Sequence, residues 1–178
     1  DMNQLKASGG SVLAFVTTDN VKVGAKGAEY IISKLPDGGE VAIIEGKAGN
    51  ASGEYRKQGA TEVFKGNSKI KLVTSQPADW DRSKALDLAA NLIQKYPNLK
   101  AIYAANDTMA LGALQAVMNA NKQNQIIVVG TDGAPEALDS IKQNGLKATV
   151  AQDSANIGVE SFKILLDALK TKPEISPN

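Results

Sequence analysis

The sequence of 178 residues contains neither cysteine nor histidine. These absences exclude thiol nucleophiles, metal sites built from cysteine or histidine, and mechanisms that use imidazole as a base. No catalytic residue, metal or cofactor is expected. Aromatic residues make up only 4% of the chain, and its single tryptophan, Trp80, stands among polar residues in "SQPADWDR". Because a ring of that size usually belongs to a core, its place in a polar loop needs an explanation.

Charge and hydropathy exclude further classes of partner. The net charge is +1 and no basic block is present, so nothing points to a nucleic acid or an anionic membrane. The apolar runs are far too short to span a bilayer. The first residue is Asp rather than Met, and we therefore expect either a removed leader or an internal piece of a longer chain.

Short apolar runs rich in β-branched residues alternate with stretches of helical spacing. Strands are predicted over 12–16, 40–46, 70–75, 101–106, 126–132 and 148–152. Helices are predicted over 21–34, about 53–64, from Asp81 to Pro97, after Asp107, over 134–144 and over 154–170. Strands that lack a polar face and alternate with helices are typical of a parallel sheet covered on both sides. The sequence predicts an α/β fold with a doubly wound, mostly parallel sheet, in which 19–152 form one unit.

The two ends of the chain fit this unit less well. The run 12–16 precedes the first helix, and the helix over 154–170 has an apolar face but no strand after it. Apolar surface of this kind needs a cover. We expect the two segments either to pack on each other or to be exchanged between two copies. In the second case the chain dimerises through 12–16 or through 154–170.

Polar or aromatic residues follow the predicted strands where each strand ends. In chain order they are Asn50, Arg56, Trp80, Asn106, Asp132 and Gln152. Because the carboxyl ends of parallel strands meet at one edge of a sheet, and ligands of open α/β folds bind there, we expect these side chains to converge.

Each of these residues also has an interpretation without a ligand. Asn106 and Asp132 are common turn formers, and Gln152 fits the end of a strand. Arg56 fits a solvated surface charge, and Trp80 fits a lid over the core. Together, however, a flat ring, a guanidinium, amides and a carboxylate are what a neutral polyhydroxylated ligand needs. The set favours a sugar site in which the indole is a platform for the apolar face of a sugar ring.

Motifs of other ligand classes do not fit. The glycines at 46, 49 and 53 in "EGKAGNASGEYR" match neither a dinucleotide nor a phosphate-loop spacing. A G-x-S-x-G nucleophile elbow is absent, and no strand end offers two acids placed as in a glycosidase.

Several segments carry a family resemblance. "VAIIEGKAGNASGEYR", "SQPADWDRSKALD", "YAANDTMALGALQAV", "VVGTDGAPEAL" and "ATVAQDSANIGVESFK" resemble, in order and spacing, the periplasmic sugar-binding proteins of bacterial ABC importers, of the ribose- and allose-binding type. The resemblance runs from about Phe15 to Lys170. It implies a non-enzymatic periplasmic receptor with two lobes that close on a monosaccharide such as allose or ribose. The partners it implies are a membrane permease and a chemoreceptor.

The resemblance also implies site residues and a domain organisation. The ligand-binding residues it carries over are Arg56, Trp80, Asn106, Asp132 and Gln152, with Asn50 as an addition. By the family pattern, 19–152 are the C-terminal sugar-binding lobe. Residues 1–18, a strand and crossover, and 153–178, a hinge and helix, would belong to an N-terminal lobe whose opening units are missing.

Two other functions share parts of this pattern. The effector-binding core of a lac-repressor-type transcription regulator has the same sensing core, with a helix-turn-helix in front of it. An α/β enzyme acting on a sugar or nucleotide is the third interpretation, and the missing catalytic sets speak against it.

Overall fold

Residues 7–9 and 14–171 are described by the structure, a computed structural model. They fall into two units. One is Asp19–Gln152, and the other takes its residues from 1–18 and 153–178. These limits coincide with those that the sequence predicts for the sugar-binding lobe and its flanks. That the flanks belong to another lobe stays a prediction.

One parallel sheet of five strands is the centre of Asp19–Gln152. The strands are β1 (Gly39–Glu45), β2 (Ile70–Pro77), β3 (Leu99–Ala104), β4 (Ile127–Asp132) and β5 (Ala148–Ala151). Their order across the sheet is β2-β1-β3-β4-β5, and all neighbours run parallel. The winding reverses between β1 and β3, so the crevice beyond their carboxyl ends is where an open α/β sheet binds ligands.

Helices connect the strands and cover both faces of the sheet. The described helices are α1 (Asn20–Lys34), α2 (Ala51–Gly66), α3 (Arg82–Lys95), α4 (Asp107–Asn119) and α5 (Pro135–Lys142) in this unit, and α6 (Ser154–Thr171) in the other. The predicted fold class is confirmed. Asp81, where the sequence predicts that a helix begins, is the N-cap of α3, since its carboxylate accepts from the amide of Lys84 at 2.8 Å.

Two apolar layers, one on each face of the sheet, form the core. Ile43 of β1 packs with Ile31 of α1 and Phe64 of α2 on one face. Ile102 of β3 packs with α3 and with Met109 of α4 on the other. Successive strand residues point to opposite faces, and both faces are buried here, which is why the strands read as continuous apolar runs. Each fully buried side chain of this size contributes about 1.5–3 kcal/mol of burial free energy.

The second unit differs from its prediction in one respect. Residues 14–16 form neither strand nor helix, so the strand expected over 12–16 is wrong for that part, and residues 12 and 13 lie outside the described range. Phe15 is 69% exposed. A regular strand needs a neighbour to satisfy its backbone groups, and none is paired with these residues in the described part of the chain.

Helix α6 forms where the sequence predicts it. Five of its apolar side chains, Val159, Phe162, Leu165, Leu166 and Leu169, are exposed, and none of its residues is buried. No helix in the described part of the chain has the length and apolar character needed to cross a bilayer.

Candidate ligand-binding site

Six residues line a pocket of about 280 Å³ beyond the carboxyl ends of the strands, called here the edge pocket. They are Asn50, Ser52, Arg56, Trp80, Asn106 and Asp132. Five of them are predicted site residues. Gln152, the sixth predicted residue, is not in the lining but donates from Nε2 to Asp132 Oδ1 at 2.6 Å. The structure therefore brings the predicted residues together at one edge of the sheet.

Arg56 lies in the second turn of α2 and is buried, with only 6% of its surface exposed. Its Nε donates to Asn20 Oδ1 at 2.9 Å, and its Nη1 donates to the Ala105 carbonyl at 2.7 Å and to Asp132 Oδ1 at 3.0 Å. The interpretation of Arg56 as a solvated surface charge is therefore wrong. These three bonds fix the plane of the guanidinium, and Nη2 takes part in none of them.

Asp132, the last residue of β4, has a φ of 121°, a value that L residues rarely adopt. Its carboxylate accepts from both Arg56 and Gln152, and its carbonyl accepts from the Gln152 amide at 3.3 Å. Backbone strain of this kind costs about 1–3 kcal/mol and is typical of ligand sites. Asp132 is more than a turn former, because its side chain joins α2 to the end of β5.

Trp80 is held in a tight turn between β2 and α3. Asp79 and Trp80 have φ values of 56° and 66°, and the Asp81 amide donates to the Ala78 carbonyl at 2.9 Å, which closes a type I′ turn. The edge of the indole lies against Gly46, where an added Cβ would be 2.6 Å from Cε2 and closer to Cζ2 and Cη2.

The indole is half-buried, and this position is compatible with both interpretations of Trp80. It packs on the α3–α4 layer of the core, as a lid would. It also lines the edge pocket, as a platform would. Gly53 also leaves room for this ring edge, since an added Cβ there would stand 3.0 Å from Cζ2 and 3.5 Å from the Cα of Gly46.

The two asparagines of the pocket are also helix caps. Asn106 Oδ1 accepts from the Met109 amide at 2.8 Å at the start of α4, and Asn50 Oδ1 accepts from the Gly53 amide at 3.3 Å at the start of α2. Asn106 is the N-cap of α4, so the site residue directly precedes the first residue of this helix, Asp107. In both asparagines the cap uses the carbonyl oxygen, and the Nδ2 group takes no part in it.

Sequence reasoning missed two residues of the site. Ser52 lines the pocket from the first turn of α2. It stands two residues after Asn50 in "NAS", and this closeness to a predicted site residue could have indicated it. Asn20 is buried and holds Arg56 Nε. It follows Asp19, the N-cap of α1, so the sequence gives only a helix start there.

A buried phenol is hydrogen-bonded to the residue that precedes Asp132. The hydroxyls of Tyr103 and Thr131 share a hydrogen bond of 3.0 Å, one residue before Asp132. Burial raises the pKa of Tyr103 from 10.0 to about 12, so the phenol stays neutral at physiological pH. The pocket lining contains one carboxylate, and it is paired with the one guanidinium. In the described part of the chain, no group of three or more acidic side chains is placed to hold a metal ion.

Sequence comparisons match the chain to a family and to curated relatives. Residues 2–173 match the family described as periplasmic binding protein domain. The chain is 63% identical over 172 residues to the D-allose-binding periplasmic protein of Escherichia coli K12, covering 96% of this chain and 55% of that protein. It is 40% identical over 173 residues to the ribose import binding protein RbsB of Bacillus subtilis 168, with the same coverage. The chain thus spans about half the length of the curated relatives it matches.

Solved structures give the same result. A periplasmic solute-binding protein of an ABC transporter from Actinobacillus succinogenes 130z, with bound D-allose, superimposes with a TM-score of 0.87 at 34% identity, covering 99% of this chain and 61% of that one. A solute-binding protein from Bacillus halodurans C-125 with bound myo-inositol has a TM-score of 0.83 at 27% identity, with coverages of 98% and 64%. The resemblance seen in the sequence is confirmed.

Proposed function

The chain belongs to the periplasmic binding protein family, and from this premise we propose that it supplies one wall of a monosaccharide site in a receptor of an ABC importer. The observation that carries the proposal is the edge pocket, in which a guanidinium, an indole, two amides and a carboxylate meet at the switch point of the sheet. The relatives named for allose and ribose make these two sugars the first ligands to test.

The chemistry of the pocket suits a neutral sugar. Each sugar hydroxyl both donates and accepts a hydrogen bond, so it needs an acceptor such as Asp132 and donors such as Arg56 Nη2 and Asn106 Nδ2. The Arg56–Asp132 pair leaves the pocket with no unpaired charge, which disfavours a phosphate or a free cation. The indole of Trp80 offers an apolar face for the C–H side of the ring at little entropic cost.

We further propose that the pocket is half of the whole site. Its 280 Å³ are at the lower end of the range for ligand pockets, and the curated relatives are about twice as long as this chain. The flanks 1–18 and 153–178 would then belong to the other lobe, which closes over the sugar. Closure driven by the sugar requires that the sugar make additional contacts in the closed state.

The exposed face of α6 is part of the same proposal. In the two-lobed protein the other lobe would cover its apolar side chains. In the 178-residue chain the cover would instead be a second copy, and we propose that the chain dimerises through α6 rather than through residues 14–16, which form no strand.

The location and partners follow from the family. We propose that the protein acts in the periplasm, passes sugar to a membrane permease and is also read by a chemoreceptor. The regulator alternative is not favoured, because the relatives are named as binding proteins for sugar import. We propose no catalytic activity, since the pocket lining has only one carboxylate, which is paired with Arg56, and no described hydrogen bond joins Ser52 to a general base.

Calorimetric titration of D-allose and D-ribose into the two-lobed protein that contains this chain tests the proposal. Asp132→Asn is expected to weaken binding by about 10- to 100-fold, the equivalent of about 1.5–3 kcal/mol for a hydrogen bond to a charged group. Asp139→Asn is the matched control, because Asp139 is an exposed carboxylate on α5 that forms an ion pair with Lys142 at 2.9 Å. Unchanged affinity in Asp132→Asn would remove Asp132 from the site.

A further inference from the structure

Asp107 is a buried carboxylate outside the lining of the edge pocket. It is the first residue of α4, next to Asn106, and only 1% of its surface is exposed. Its Oδ1 accepts from the Thr149 hydroxyl at 2.7 Å, and its Oδ2 accepts from the Ala134 amide at 2.8 Å. Burial raises the pKa of Asp107, while these two bonds act in the opposite direction. A carboxylate is costly to bury, so its position calls for a role.

The bonds of Asp107 converge on the turn that follows Asp132. Thr149 Oγ1, which donates to Asp107, also accepts from the Gly133 amide at 3.1 Å. The amides of both residues after Asp132 are therefore held, one directly by the carboxylate and one through the hydroxyl. Asp132 and Gly133 both have positive φ, 121° and 75°, and such a turn keeps its shape only where its surroundings fix it.

The Asp107 carboxylate is closely packed against neighbouring atoms. It lies against the backbone of β4 at Gly130, where an added Cβ would meet Oδ1 first and Cγ at 3.3 Å. Thr149 on β5 is the partner of Gly130 in the sheet register, which places its hydroxyl beside the carboxylate. The helix N-terminus adds to the stabilisation of a negative charge at this position.

We propose that Asp107 is a positioning residue of the ligand site: with the Thr149 hydroxyl it holds the strained turn that aims the Asp132 carboxylate at the ligand. The inference rests on the proposed function, since the carboxylate it positions is the one assigned to the sugar. It also links the site residues Asn106 and Asp132 through one network, because Asp107 is next to the first and bonded to the turn after the second.

A pair of substitutions at Thr149 tests the proposal in the two-lobed protein. Thr149→Val keeps the shape and the strand propensity but removes the hydroxyl, whereas Thr149→Ser keeps the hydroxyl. We expect Thr149→Val to weaken D-allose binding by about tenfold, the lower end of the range for losing one hydrogen bond to a charged group, and Thr149→Ser to stay within about twofold of the unsubstituted protein. Equal binding by the Val variant and the unsubstituted protein would overturn the proposal.

A control separates positioning from a general loss of stability. Val117→Ala creates a cavity in a fully buried position at the far end of α4, the helix whose first residue is Asp107. It is expected to lower the melting temperature and to leave the affinity for allose unchanged. If Val117→Ala and Thr149→Val lose affinity in proportion to their stability, Thr149 is only structural and the proposal fails.

Two further outcomes are informative. Should Thr149→Val fail to fold, Asp107→Asn replaces it, and unchanged allose affinity in that variant would count against the proposal. If the unsubstituted protein itself binds neither D-allose nor D-ribose, the proposed function fails. If it binds and the variants bind equally well, only the positioning role is lost.

Discussion

Substitution of Gly46 by Ala tests the position of the Trp80 indole. Trp80 reaches the edge pocket because Gly46 and Gly53 leave room for the edge of its ring. An added Cβ at Gly46 would stand 2.6 Å from Cε2 and closer to two other ring carbons. Carbon atoms pack at about 3.5–4.0 Å, so the ring would have to move by more than about 1 Å. Overpacking of this kind costs about 1–3 kcal/mol.

Tryptophan fluorescence of the 178-residue chain is the assay, because Trp80 is its only tryptophan. We expect Gly46→Ala to shift the emission towards longer wavelength, because the half-buried ring would become more exposed to water. The same substitution is expected to lower the free energy of unfolding by about 1–3 kcal/mol. In the two-lobed protein the same variant is expected to bind D-allose more weakly.

Gly66→Ala is the matched control, since Gly66 ends the same helix that contains Gly53 and an added Cβ would meet no atom within 4 Å there. This variant is expected to keep the emission spectrum and to be neutral or slightly more stable. If Gly46→Ala has the emission spectrum and the stability of the unsubstituted chain, the indole does not lie against Gly46.

Three other predictions concern the turn, the buried phenol and the exposed helix. Asp79→Gly is expected to be more stable than Asp79→Ala by about 1 kcal/mol in chemical unfolding, since both lose the ion pair to Lys84 but only Gly adopts φ of 56° without strain. Equal stabilities of the two variants would show that the backbone is not strained at position 79. Because the folded state raises the pKa of Tyr103 from 10.0 to about 12, its contribution to stability is complete below about pH 10 and is lost as pH rises through about 12, by about 3 kcal/mol. Unfolding at increasing pH should show a shallower decline for Tyr103→Phe, and parallel declines would argue against the shift. Light scattering should find the 178-residue chain dimeric and Phe162→Ser with Leu169→Ser monomeric, whereas a monomer without substitutions would contradict dimerisation through α6.

The sequence predicts the architecture well because burial on both faces of the sheet leaves a direct trace. Strands such as Gly39–Glu45 and Ile127–Asp132 have no polar face, and each is followed by a stretch of helical spacing. The run that includes residues 14–16 has the same composition, but composition does not show whether a strand has a neighbour to pair with. That missing partner is why the prediction failed there.

The position of the site residues could be predicted, but their contacts could not. Arg56, Asp132 and Gln152 follow strands of a parallel sheet, so their convergence is a consequence of topology alone. Their mutual bonds depend on distances between residues that are far apart in sequence, 76 positions in the case of Arg56 and Asp132. Asn20 and Asp107 look like ordinary residues of a helix start, and only burial distinguishes them.

A crystal structure of the proposed two-lobed protein with D-allose tests the sugar site most directly. We expect the sugar ring to stack on Trp80 and its hydroxyls to lie about 3 Å from Asp132 and from Nη2 of Arg56. A sugar bound elsewhere, with the edge pocket unchanged around its Arg56–Asp132 pair, would contradict this expectation.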